Sequence, residues 1–243
     1  AETVILDVDR ETQHRGKTHR LEHTKLYAKD SLLLLKAGTS GYYHDGTNLY
    51  IKPANVYGNI EDAWIMDATS SAITCAALGN IKLQDLIVDF AGINVSNSAN
   101  AELFNVETIG AGSNGLTAND CRGTLTNSRF AGSSNDGTNF HNSINVDILG
   151  VSWVVTNSWC HDSGDDGDSM HEHCVGLYVG GLYEYNQDRG SAPSYGPQTI
   201  YNNVKTKYNG YLQTPSGTLK GEGIGMVGSN SETGGYGTST ECH

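Results

Sequence analysis

The chain has 243 residues, 15 basic and 27 acidic, and its net charge of −12 repels nucleic-acid phosphates and anionic lipid headgroups, which excludes a nucleic-acid partner. Its longest apolar run, Leu32 to Leu35, is too short to cross a bilayer, so no membrane insertion is expected. Thirty glycines against four prolines, with 17% charged and 37% hydrophobic residues, suit one main body of short strands and tight turns better than a helical bundle.

The first ten residues, A-E-T-V-I-L-D-V-D-R, lack the basic start and long apolar core of a secretion signal. Residues 1 to 30 carry six of the fifteen Lys and Arg, with His14, His19 and His23, and read as a polar connecting or packing segment rather than core. In G-Y-Y-H-D-G-T-N-L-Y-I-K-P (41 to 53), Asp45-Gly46 is a tight-turn signal between Tyr42-Tyr43-His44 and Leu49-Tyr50-Ile51. This predicts a β-hairpin, closed off by Pro53.

From about Ala63 the chain becomes a series of apolar bursts separated by Asn, Gly and Ser, among them A-I-T-C-A-A-L, L-I-V-D-F, A-E-L-F-N-V and V-G-L-Y-V-G-G-L-Y. Each burst has strand length, and none sustains a helical period. The five cysteines, Cys75, Cys121, Cys160, Cys174 and Cys242, show no C-x-x-C spacing and are expected as mostly free, buried thiols.

A repeat decides among the all-β architectures. L-T-N-S-R-F-A-G-S-S-N-D-G-T-N-F-H (125 to 141) aligns without a gap on V-T-N-S-W-C-H-D-S-G-D-D-G-D-S-M-H (155 to 171), with seven of seventeen positions identical. They include Asn127 with Asn157, Asp136 with Asp166, Gly137 with Gly167 and His141 with His171. The physical reading is a parallel β-solenoid, each coil burying its apolar face on the next at roughly 4.8 Å. Asp-Gly is then a corner, and Asn127 and Asn157 stack as a ladder. The expected division is a packing segment and hairpin over 1–60, the β-helix over 61–210, and a Gly/Ser-rich end over 211–243.

The segment at 41 to 53 and the pattern N-D-G-T-N-F-H followed by D-D-G-D-S-M-H-E-H resemble phage tailspike and pectin-lyase-like proteins. The resemblance covers roughly residues 31 to 186. It implies an all-β, right-handed parallel β-helix with the hairpin leading into it, and a homotrimer on a virion, outside the cell, facing a bacterial surface glycan. It does not specify activity, because this architecture hosts hydrolases, lyases and inert shafts.

The acidic stretch from Asp162 to His173 supports three chemistries. An EF-hand fails, because the third ligand position from Asp162 is Gly164 and the twelfth is His173. A looser Ca²⁺ site from Asp162, Asp165, Asp166 and Asp168 stays open, against solvated turn carboxylates. If His171 and His173 lie on a strand they share a face about 7 Å apart, room for two imidazole ligands with a third from another coil. The alternative is a polar ladder of His141 over His171.

Glycan hydrolysis requires two carboxyl groups, and stacked coils would bring Asp136 beside Asp166, with Glu172 and Glu184 as further candidates. A lyase would need basic residues, of which only Arg122 and Arg129 are near, so hydrolysis is the favoured reaction. Asp-Gly is also simply what a tight corner needs. Thirteen tyrosines and three tryptophans favour sugar contact, with His141, His171, His173, Trp159, Tyr183 and Tyr185 as candidate binding residues. The expected function is a glycan-binding protein and polysaccharide depolymerase, with a non-catalytic binding module, a structural shaft and a lyase as the alternatives.

Overall fold

The computed structural model describes residues 2–8, 12–14, 17–19, 22–26, 29–38, 41–52, 63–67, 71–142, 150–194, 197–210, 212–213, 219–220 and 222–225. They fall into two units divided between Thr69 and Ser70.

In the first unit, strand Glu2–Val8 pairs antiparallel with both Glu22–Leu26 and Ala63–Asp67, and Thr12–His14 pairs with Lys17–His19. The segment expected to be a connector is thus sheet. Alternation in T-V-I-L-D-V carries that strand, and the surrounding Lys, Arg and His had masked it. The predicted hairpin forms from Gly41–His44 and Leu49–Lys52, with Tyr43 opposite Tyr50. Asp45 builds its turn by accepting the backbone N–H groups of Asn48 (2.7 Å) and Thr47 (2.9 Å), which hold its carboxyl down at about 2. Pro53 lies outside the described residues. The run L-L-L-L-K-A is a six-residue helix, Leu32–Ala37, capped by the Ser31 hydroxyl.

The second unit is a parallel β-solenoid of about six turns. One face is a seven-stranded sheet built from Ser71–Ala76, Gly92–Ser96, Leu116–Asn119, Thr138–His141, Asp168–Met170, Arg189–Pro193 and Glu222–Ile224. The other two faces share a ten-stranded sheet, because Asn80–Asp89 and Asn100–Ile109 bend across the corner between them. In later coils that bend separates two strands, as in Gly123–Thr126 and Arg129–Ala131, or Trp153–Thr156 and Trp159–His161. A usual coil is 22 or 23 residues, Leu116 to Thr138 or Asp168 to Ser191. The coil from Thr138 to Asp168 is 30 because it carries an excursion over 142–152.

Each corner turns through one residue in the left-handed backbone region. The column between the second and third faces is Asp85, Asn105, Asn127, Asn157, Gly180 and Asn203, with φ between 52° and 65°. Asn and Asp tolerate this conformation because their short side chains bond locally. Amide stacking along the axis occurs here, Asn105 Nδ2 donating to Asp85 Oδ1 at 2.7 Å. A second ladder runs inside the coil, where Asn186 Nδ2 donates to Asn209 Oδ1 at 2.9 Å. The corner between the third and first faces holds Phe90, Gly110, Gly132, Asp162, Tyr185 and Tyr208. Bulky side chains in this backbone region are strained.

The Asp-Gly glycines are not the corners. Gly115, Gly137, Gly167 and Gly190 each precede a first-face strand, and a Cβ on any of them would meet the carbonyl oxygen of the next glycine along the axis, Gly137, Gly167, Gly190 or Gly223, at 2.5 to 2.6 Å. They are glycine because coils approach closely there.

The interior is apolar where strands alternate inward: Ile93, Leu103, Val106, Leu116, Leu125, Phe130, Phe140, Trp153, Val155, Met170 and Tyr178 are at most 1% exposed. Cys121, Cys160 and Cys174 are buried free thiols and Cys75 is half-buried, whereas Cys242 lies outside the described residues. Among the described residues no helix is long and apolar enough to cross a membrane.

Candidate functional site

Strand alternation sorts the acidic stretch into two sides of one wall. Thr138 and Phe140 point inward, so Asn139 and His141 face outward. One coil later Asp168 and Met170 point inward and Ser169 outward. Asp136 and Asp166 stand just ahead of their strands, separated from them only by the close-packed glycines.

The solenoid brings together what the 30-residue repeat predicted. The backbone N–H of Asp166 donates to Asp136 Oδ1 at 3.2 Å, and carboxyl oxygens of Asp136, Asp165 and Asp166 lie within 4.8 Å of one another. Asn139 Nδ2 donates to Asp136 Oδ2 at 2.6 Å, the Arg189 N–H to Asp166 Oδ1 at 2.9 Å, and the Ser169 hydroxyl to Asp166 Oδ2 at 3.5 Å. The Arg189 guanidinium pairs with Asp188 at 3.2 Å and reaches Asp166 at 3.9 Å. Burial, then the charges of neighbouring carboxylates, pushes Asp166 up to about 8. Burial pushes Asp136 up to about 7 against the pull of Asn139. The pair is crowded enough to share a proton near neutral pH.

Next along the wall, His141 and His171 stack with ring centroids 3.9 Å apart and planes 6° from parallel. Glu172 Oε2 lies 3.3 Å from His141 Nδ1, and both side chains are about a third exposed, at 35% and 32%. The three offer donor atoms within 4.8 Å of one another, a second group able to hold a metal ion. Burial and the neighbouring His141 lower the His171 imidazole to about 4.

Other expected residues lie elsewhere. His173 does not share a strand face with His171, because the strand ends at Met170 and Glu172-His173 form an exposed turn with His173 at φ 61°. Asp162, Asp165 and Asp168 do not converge: Asp162 lies 2.7 Å from His161 Nδ1, Asp165 joins the Asp136–Asp166 pair, and Asp168 is inside the solenoid. There the Asp168 carboxyl accepts the hydroxyls of Thr138 (2.7 Å), Tyr178 (2.7 Å) and Ser191 (3.0 Å). Tyr183 is fully buried in the core, which removes it as a sugar contact.

Trp159 faces outward on the third face yet is 1% exposed, packed at 4.2 Å on His161 and at 5.0 Å beneath the Arg129 guanidinium. Arg129 Nε donates to His161 Nε2 at 3.1 Å, which assigns the ring proton to Nδ1, facing Asp162. Glu184 joins this cluster rather than the Asp pair, and burial raises its carboxyl. Tyr185 sits at the third corner, its ring stacked 5.1 Å from Tyr208, which is 68% exposed.

Sequence reasoning missed Asn139, Ser169, Arg189 and Arg129. Arg189 follows Asp166 by one ordinary 23-residue coil, a spacing the single 30-residue repeat could not disclose. No protein-family profile matches the chain, and neither a curated protein nor a solved structure resembles it detectably.

Proposed function

We propose that this β-helix is a surface protein of a virion that binds bacterial polysaccharide, three copies assembling as the resemblance to tailspikes implies. The observation that supports the reading is the pair of stacked rings at the exposed corner, Tyr185 under Tyr208. A flat apolar face with a polar edge, repeated at coil spacing, matches the alternation of C–H faces and hydroxyls along a glycan. The second corner of the same wall ends in the His141–His171 stack beside Glu172, which adds hydrogen-bonding edges.

A panel of purified bacterial surface polysaccharides, immobilised and probed with the full chain, tests this reading. Retention of at least one glycan is expected, with Tyr208→Ala weakening it by roughly three- to tenfold. Failure to retain any glycan, or an unchanged affinity in Tyr208→Ala, overturns it.

Hydrolysis is the second reading, favoured by the two raised carboxyls one rung apart. Oxygens within 4.8 Å fall in the short-separation class, in which one carboxyl attacks the anomeric carbon and the other protonates the leaving oxygen. Asp166, the higher of the two, would hold the proton, and Asp136, bonded by Asn139 and the Asp166 N–H, would be the nucleophile. Exposures of 3% and 5% rank binding without turnover ahead of it. An assay for new reducing ends separates the two, and Asp166→Asn should remove any such activity by about a hundredfold or more.

A further inference from the structure

We propose that His141, His171 and Glu172 form a binding site for a borderline transition-metal ion of the Zn²⁺ class, tying the first-face strands of two consecutive coils together.

Three features of the group carry this. The first is ligand chemistry: two imidazoles and one carboxylate suit Zn²⁺ and its neighbours, whereas Ca²⁺ takes six or more oxygens. The second is convergence, since the three donor atoms already lie within 4.8 Å of one another. A shared ion at about 2.0–2.2 Å from each donor draws them to roughly 3.3 Å apart, which side-chain rotation supplies without moving the strands.

The third feature is a fixed backbone beneath the ligands. The His171 N–H donates to the Phe140 carbonyl at 2.8 Å, the Asn142 N–H to the Glu172 carbonyl at 3.1 Å, and the Asp120 N–H to the His141 carbonyl at 3.1 Å. Asn139 Nδ2 stands 3.5 Å from His171 Nε2, where it can orient the ring. On the rung before, in register with His141, Asn119 keeps a buried side-chain oxygen with no hydrogen-bond partner, a further oxygen beside the group. The chain's net charge of −12 favours a cation, and two neutral imidazoles with one carboxylate leave the occupied site at only +1.

Position gives the ion a task. His141 is the last strand residue before the 142–152 excursion, the longest departure from the 22- or 23-residue coil between Leu116 and Ser191. A metal joining it to His171 and Glu172 clamps the mouth of that excursion to the following coil. The inference is independent of glycan binding and of the Asp136–Asp166 pair, and loss of either reading leaves it intact.

The test uses the full chain, stripped with a chelator and titrated with Zn²⁺ alone by calorimetry, and with Co²⁺ alone by visible absorption. Saturable binding of one ion is expected, with a rise in melting temperature on Zn²⁺ addition. His141→Gln and His171→Gln should each weaken binding by more than roughly tenfold, the loss that removing even an outer partner brings. His173→Asn, in the adjoining turn, should bind as the parent does. Absence of saturable Zn²⁺ binding, or an unchanged affinity in the His141→Gln/His171→Gln double variant, overturns the proposal. If a variant loses its far-ultraviolet spectrum, imidazole nitrogen resonances of the parent protein decide instead: Zn²⁺ must perturb two histidines, His141 and His171, and perturbation of others alone overturns it.

Discussion

Asp168 is a carboxyl enclosed by three hydroxyls in an otherwise apolar interior, and it makes folding sensitive to pH. Burial raises it from 3.8 to about 6 although Tyr178, Thr138 and Ser191 all pull it down. Because the folded pKa lies above the unfolded one, the native state binds the extra proton between about pH 4 and 6. Its contribution is therefore fully present below pH 4 and is lost as pH rises through 6, by ~3 kcal/mol at most. Asp168→Asn cannot ionise, and its amide can still exchange hydrogen bonds with the same hydroxyls. Thermal or urea melts should show Asp168→Asn gaining on the parent protein as pH rises from 4 to 7, with the difference levelling above 7. A constant difference across that range would remove Asp168 from the account. The Asp136–Asp166 pair, raised to about 7 and 8, adds a second decline that persists in both proteins at higher pH.

At the scale of single elements, the glycine ahead of each first-face strand limits how closely coils stack. Gly137→Ala sets a methyl 2.5 Å from the Gly167 carbonyl oxygen and 3.0 Å from the Cys160 Cβ, both of which belong to packed backbone or core. It should destabilise by about 1–3 kcal/mol or more in urea melts, whereas Gly46→Ala, in open space at the hairpin turn, should cost only its backbone strain. Equal losses from the two would contradict the stacking argument.

The glycine column also marks where the sequence stopped being legible. Asp136 with Asp166 and His141 with His171 were readable because two adjacent coils align without a gap. The remaining coils differ in length by seven or more residues from that one, so Gly92, Gly115 and Gly190 fell out of register with the visible repeat. Asp168 could not be assigned to the interior from its neighbours, because inward or outward pointing depends on where the strand begins, and Asp-Gly suggested a turn there. Tyr183 failed for the same reason, one position separating a core ring from a surface ring. Trp159 and Arg129 became partners only through rung pairing across 30 residues.

For the molecule as a whole, a solenoid distributes stability by neighbour contact, so coils at the ends have a partner on one side only. The burial pattern follows this: strands from Arg129 to Pro193 alternate with fully buried positions, whereas Ser71–Ala76, Gln198–Asn202 and Lys205–Lys207 contain none. Hydrogen exchange should therefore show protection greatest between Leu116 and Glu184 and decaying toward Ser71 and Lys207. Uniform protection along the axis would mean that the end strands are covered in solution by other chains.

Pairing of every rung with its counterpart one turn away makes length change a quantised event. Losing or gaining a single amino acid within a strand would swap inward for outward side chains along the remainder of that rung, while duplicating one whole turn of 22 or 23 residues adds a ring without disturbing those already stacked. Descendants of this chain would accordingly be expected to differ by whole turns or by loops let out at the corners, and seldom by intermediate steps.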